Sequence, residues 1–278
     1  MKKYIAFLAL GAVTFLTTGC DKLRSRDHMN KGVQAYRNAR WPDAVEHFKE
    51  AVRLDPQNVN GKLYLATAYM TQYVPGVDDP RNVQFATAAR DEFNQVLKEN
   101  PSDKTALASL ASLSYQEAQG IPKFEDKLKK LDESKDWNLK LLQADPQNKE
   151  AYYTLAVIDW LKWYPSYMSA RAEMGMKPED PGPLKDKKVR AELKEKYDAL
   201  LQDGIDNLNK ALKIDPNYDD AMSYLNLLIR QRADLLDTKE EYQKQIDIAN
   251  DWVQKSMDTK KAKAAKQPAT SGITQDTK

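Results

Sequence analysis

The chain has 278 residues, and its 43 Lys plus Arg stand against 41 Asp plus Glu, for a formal net charge of +2. So even a balance excludes the strong basic field that gathers nucleic acid or acidic lipid. The single cysteine, Cys20, rules out an intramolecular disulfide, and the 10 scattered glycines form no phosphate-cradling loop.

Lys2 and Lys3 precede an apolar run over residues 4–16, followed by Thr17-Thr18-Gly19-Cys20. The run is too short to cross a bilayer core of about 30 Å as a helix, so residues 1–19 are expected to be an export signal that is removed. The stretch Leu16-Thr17-Thr18-Gly19-Cys20 resembles the lipobox of bacterial lipoproteins, with Thr17 where that family usually has Leu. The resemblance implies that the Cys20 thiol is acylated and becomes the new N-terminus, anchoring the protein to a membrane of the bacterial envelope and facing the periplasm. More than one acyl chain, at roughly 0.8 kcal/mol per buried CH₂, makes such attachment stable. The alternative is an unlipidated secreted protein. Asp21 resembles the inner-membrane retention signal of enteric bacteria, a rule that does not transfer to other lineages, so inner and outer membrane both stay open. Residues 20–27 read as a short polar tether.

The body of the chain repeats. Four segments end alike, at Asp55-Pro56, Asn100-Pro101, Asp145-Pro146 and Asp215-Pro216, each reading as a helix closed by a proline turn. Nine residues after these prolines stand Leu65, Leu110, Leu155 and Leu225; five residues after them stand Gly61, Ala106, Ala151 and Ala221. Before them, Ala44, Phe48 and Ala51 recur as Ala89, Phe93 and Val96, and as Gly204, Leu208 and Ala211. Offsets of four and three place these on one helical face. The third unit has Ser134, Trp137 and Leu141, with the large residue shifted by one.

On these residues the chain resembles the tetratricopeptide repeat family, whose units are a helix, a tight turn and a second helix. The first unit matches best, with Gly32, Tyr36, Ala44, Phe48, Ala51 and Pro56 around a turn at Asn38-Ala39-Arg40-Trp41-Pro42. The implied fold is all-α: a right-handed solenoid of about five helix pairs over residues 28–257, with insertions between paired helices. Those insertions are expected at residues 74–80, at Gly120-Ile121-Pro122, and, longest, at residues 165–188, where Pro178-Glu179-Asp180-Pro181-Gly182-Pro183 reads as loop. Residues 258–278 lack apolar periodicity and read as a disordered tail.

Catalytic or metal-binding groupings are scarce. His28 and His47 are the two histidines, there is no HExxH or paired CxxC, and both rings read as solvated helix residues. The pairs Asp78-Asp79, Glu179-Asp180 and Asp219-Asp220 read as turn and helix-start residues. No cofactor, no metal and no catalytic role is expected.

In the tetratricopeptide family the first helix of each pair lines a concave groove. The register implies that Tyr36, Met70, Tyr115, Trp160 and Arg230 occupy equivalent groove positions, with Val33, Thr67, Ser112, Val157 and Leu227 nearly one turn earlier. Lacking a Lys, Asn and Arg set there, the chain does not support chaperone-tail recognition. Trp160, Trp163, Tyr164 and Tyr167 either hold the long insertion or line the groove. The expected function is a non-catalytic envelope scaffold with protein partners; alternatives are an assembly factor for pili or outer-membrane proteins and a glycan-binding accessory lipoprotein.

Overall fold

The recurring Asp/Asn-Pro segments are helix-to-helix turns, and the residue two places after three of the prolines caps the helix that follows. Asn58, Asp103 and Asn148 accept hydrogen bonds from Gly61 N at 3.0 Å, Ala106 N at 2.9 Å and Ala151 N at 2.9 Å. Each cap satisfies one of the amide donors that a helix start leaves unpaired. At the fourth turn the equivalent residue is Tyr218, which provides no side-chain cap.

The structure is a computed structural model that describes the backbone of residues 2–266 and the side chains of residues 20–266. Among the described residues there are ten helices and no strand: α1 (Lys2–Arg37), α2 (Trp41–Leu54), α3 (Val59–Gln72), α4 (Pro80–Glu99), α5 (Lys104–Gly120), α6 (Phe124–Ala144), α7 (Lys149–Glu173), α8 (Lys187–Ile214), α9 (Asp219–Ala233) and α10 (Lys239–Lys266). They divide into two compact units, Met1–Pro146 and Gln147–Lys278. The first unit stacks the pairs α1/α2, α3/α4 and α5/α6; the second holds α7/α8 and α9/α10.

The repeated small and large residues form the cores. Phe48 and Phe93 are fully buried, as are Ala44, Ala51, Ala89 and Val96, and Leu65, Leu110, Leu155 and Leu225 are all nearly so. Each large side chain removed from water contributes about 1.5–3 kcal/mol. The small positions set how closely helices approach: a Cβ on Gly32 would lie 2.5 Å from Phe48 Cε1.

The third pair departs from the expected register. Asn138, not Trp137, takes the position of Phe48 and Phe93: it is buried and donates to Ser134 O at 2.9 Å, while Ser134 Oγ donates to Ala111 O at 2.8 Å. A polar pair thus replaces a phenyl ring there, each partner satisfied by backbone. Trp137 sits beside it, half-buried, with Lys140 Nζ over its ring at 4.1 Å.

The extra length lies mostly in longer helices. The helices α4, α6, α7 and α8 have 20, 21, 25 and 28 residues, against 14 in both α2 and α3. Pro165, expected to open the long insertion, lies inside α7. The helix continues past it because Trp163, Tyr167, Ala170 and Arg171 are buried, so tertiary packing outweighs the missing amide donor. The insertion proper is residues 174–186, and it is tied down at several points. Arg171 Nη2 donates to Lys177 O and Asp180 O, both at 2.6 Å, and Leu184 N donates to Asp234 O at 3.0 Å. Gly182 N donates to the Tyr242 hydroxyl at 3.0 Å, and Arg190 Nη1 donates to Leu184 O at 2.7 Å.

Both expected flexible ends differ as well. Residues 21–27 are helical, not a tether: Ser25 is 1 % exposed and its hydroxyl donates to Ala51 O at 2.8 Å. Residues 258–266 extend α10, where Lys263 pairs with Asp219 and Thr259 approaches Met222. Residues 267–278 of the expected tail lie outside the described residues.

Candidate functional site

In the first unit, Tyr36, Met70 and Tyr115 lie on α1, α3 and α5, the first helices of successive pairs, and all three are half-buried. Tyr36 is fixed at both ends. Its ring meets Trp41 edge-on with centroids 4.7 Å apart, and its hydroxyl is 2.9 Å from Thr71 Oγ1, next to Met70. Thr71 Oγ1 itself donates to Thr67 O at 2.9 Å, so its lone pair is free to accept from the tyrosine. Val33 packs on the α1/α2 core and Met70 on the α3/α4 core.

In the same unit an ion network ties three helices. Arg90 of α4 pairs with Glu117 of α5 and Glu133 of α6, and Lys130 Nζ lies 2.9 Å from Glu117 and 2.7 Å from Glu133. Burial works against the Arg90 charge, but the two carboxylates hold it above its ordinary value. Burial likewise opposes Glu133 ionisation, and Lys130 and Arg90 overcome it, holding the carboxyl below its usual range.

In the second unit, Trp160, Trp163, Tyr164 and Tyr167 of α7 divide. Trp163 is fully buried with Nε1 donating to Gln231 Oε1 at 2.8 Å, and Tyr167 is 7 % exposed with its hydroxyl donating to Asp234 Oδ2 at 2.6 Å. These two hold the fold. Trp160 and Tyr164 stay half-buried. Trp160 stacks obliquely on Tyr164 at 4.6 Å and meets Tyr224 of α9 edge-on at 5.8 Å. Arg230, also on α9, is turned along and across the helices, donating to Asn226 Oδ1 at 2.7 Å and to Asn250 of α10. Val157 is buried, so it is a core residue rather than part of an open wall.

Burial moves two titratable groups of this packing from their ordinary values. Burial pushes the Tyr218 phenol up to about 12, with Glu150 and Asp220 adding to it, and burial raises the Asp234 carboxyl despite Tyr167 and Arg171. Among the described residues no three His, Cys, Asp or Glu side chains are grouped to hold a metal ion, and no helix is long and apolar enough to cross a membrane.

Sequence reasoning missed that His28 and His47 face each other, with Nδ1 atoms 3.4 Å apart. The pairing of Gly32 with Phe48 in the tetratricopeptide register places residues 28 and 47 on the same seam, a signal the sequence did contain.

Comparison with protein-family profiles finds no matching family, and comparison with curated proteins finds no matching sequence. Solved structures do match. A MamA double mutant of Desulfovibrio magneticus RS-1 shares 16% identity over 87% of this chain and 97% of its own, with a TM-score of 0.52. MamA of AMB-1 shares 14% identity over 88% and 98%, with a TM-score of 0.50. A thermophilic tetratricopeptide protein of Thermus thermophilus shares 14% over 87% and 97%, with a TM-score of 0.44. At such identity the likeness to MamA is one of fold, and with the capped, proline-closed helix pairs it makes this chain an all-α protein of tetratricopeptide-like repeats.

Proposed function

We propose that the chain is a non-catalytic scaffold of the bacterial envelope that binds protein partners through the first-helix faces of its repeats and is held to a membrane by acylated Cys20. The observation that carries the binding reading is the way half-exposed side chains are fixed across consecutive first helices, Tyr36 to Thr71 in one unit and Trp160 to Tyr224 in the other. Such side chains lose little freedom on binding, which favours recognition. Both neighbours of Trp160 are protein rings at 4.6 and 5.8 Å, so little of the indole face is left for a sugar to stack on, and a protein surface fits better than a glycan. An assembly factor for pili or outer-membrane proteins is the narrower form of the same reading. Cys20 is exposed on α1, as acylation requires.

Photo-crosslinking residues placed singly at 36, 70, 115, 160 and 230 test the binding reading in the protein's own cells. Discrete partner adducts from these positions, and fewer from Val83 and Gln84 on α4, are expected; equal labelling from both sets overturns the assignment of the face. Loss of an outer-membrane complex on deletion of the protein distinguishes the assembly role. Cys20→Ser is expected to move the protein to the soluble periplasmic fraction, and persistent membrane attachment overturns the lipid anchor.

A further inference from the structure

The two histidines of the chain lie 19 residues apart in sequence yet meet across the α1/α2 seam. Their ring centroids are 5.5 Å apart, the rings are inclined by 55°, and the Nδ1 atoms stand 3.4 Å from each other. Both rings are half-buried, so one side of the pair is open to solvent.

The spacing is set by backbone packing on both sides. On one side Ser25 Oγ donates to Ala51 O, and on the other Gly32 lies against the fully buried Phe48 ring, so neither helix can slide without breaking one of these contacts. The carboxylates beside the pair already have cations: Asp27 with Lys31 at 2.6 Å, Glu46 with Lys49 at 3.3 Å, and Glu50 with Arg53 at 2.7 Å. What the seam presents is therefore two imidazole nitrogens held at a fixed separation and in direct contact with each other.

That separation has a chemical meaning. Two nitrogens bound to one tetrahedral ion at roughly 2.0–2.1 Å lie about 3.3–3.4 Å apart. A direct N–H···N hydrogen bond occupies the same span and binds one proton where an ion would bind instead. Imidazole is the ligand that suits copper, nickel and zinc, while calcium and magnesium require oxygen.

We propose that His28 and His47 form a two-nitrogen site for a borderline divalent transition-metal ion, which binds both Nδ1 atoms as the proton between them moves through solvent to the Nε2 of the ring that held it, takes its remaining ligands from water and clips α1 to α2. With two protein ligands the site is a modest one, and its order of preference follows intrinsic affinity for nitrogen, copper(II) ahead of nickel(II) and zinc(II).

Untagged full-length protein carrying Cys20→Ser, which removes the one thiol, is titrated with copper(II), nickel(II) or zinc(II) by calorimetry and by thermal unfolding. One saturable site is expected, tightest for copper. At roughly a hundredfold excess over the dissociation constant the first unfolding transition is expected to rise by about 9 °C. His28→Asn and His47→Asn should each weaken binding by about tenfold or more and reduce the rise by at least about half. Absence of saturable binding, or binding unchanged in both variants, overturns the site. The copper(II) paramagnetic resonance spectrum of the histidine-intact protein gives a readout independent of how the variants fold: coupling to two imidazole nitrogens supports the site, and coupling to one or none overturns it.

Discussion

The Tyr167 hydroxyl donates to Asp234 Oδ2 over 2.6 Å, and Arg171 Nη1 reaches the same oxygen at 3.1 Å. Around these three, α7, the 174–186 segment and the α9–α10 turn converge: Arg171 holds the carbonyls of Lys177 and Asp180, and a Cβ on Gly182 would fall 1.6 Å from Asp234 Oδ1. Asp234→Ala leaves the Arg171 guanidinium buried without its counter-charge and is expected to cost about 3–5 kcal/mol in denaturant unfolding of the second unit. Adding Arg171→Met to it removes the stranded charge and should recover part of that loss, giving a non-additive double-mutant cycle.

The same carboxyl makes a prediction about pH. Burial raises it above its ordinary 3.8, against the pull of Tyr167 and Arg171. A raised carboxyl binds its proton more readily in the folded state, so its ionisation weakens the fold at neutral pH, and that weakening is relieved as the pH falls through the folded value. The stability of wild type relative to Asp234→Asn should therefore increase between neutrality and about pH 4. Chemical unfolding of both proteins across that range measures it; a relative stability that decreases on acidification would contradict the raised value.

The three caps give a matched series. Asn58→Ala, Asp103→Ala and Asn148→Ala each remove a side-chain acceptor from the first turn of a helix and are each expected to cost about 1 kcal/mol. Asn58 and Asp103 cap different helices of one unit, so their costs should add in the double variant to within about 0.5 kcal/mol. Equilibrium urea unfolding is the measurement.

Two glycines separate close packing from backbone conformation. Gly32→Ala puts a methyl 2.5 Å from the Phe48 ring and is expected to cost about 1–3 kcal/mol through displaced packing. Gly175 has open space around it but a φ of +65°, so Gly175→Ala costs about 1–2 kcal/mol through the backbone alone. Phe48→Leu makes room at the first site and should soften the Gly32→Ala penalty while leaving the Gly175→Ala penalty unchanged.

The helical start of the body is open to a direct test. Ser25→Ala removes one of the two hydrogen bonds to Ala51 O inside a packed seam, the other coming from Asp55 N, and should lower stability by about 0.5–1.5 kcal/mol. Amide hydrogen exchange over residues 24–27 should be slow in the native protein. Exchange there at the rate of an unstructured chain would restore the tether reading.

What the sequence disclosed depended on how local the signal was. The proline turns, the leucines nine residues on and the small-large-small faces are carried by neighbouring residues, and the helix pairs followed from them. Signals that depend on a partner far along the chain were lost. Ser25 reads as polar and is buried because Ala51 offers an acceptor; Pro165 reads as a break, but Trp163 and Tyr167 have partners at residues 231 and 234 that keep the helix whole. Trp137 reads as the core member of the third pair because it is the larger apolar residue, whereas Ser134 on the preceding turn supplies the acceptor that lets the Asn138 amide be buried. Of the five groove positions, the register placed each on a first helix, but it did not foresee that Arg230 would be engaged with Asn226 and Asn250.

The absence of a tether changes what Cys20 can do. Five residues of helix, about 8 Å, separate it from the buried Ser25. A protein on a long leash sweeps a hemisphere and meets partners at a low effective concentration; here there is no slack to sweep with. If Cys20 carries the proposed lipid, this short helical link sets the stand-off of the first repeat to within about a nanometre and confines it to partners at that height.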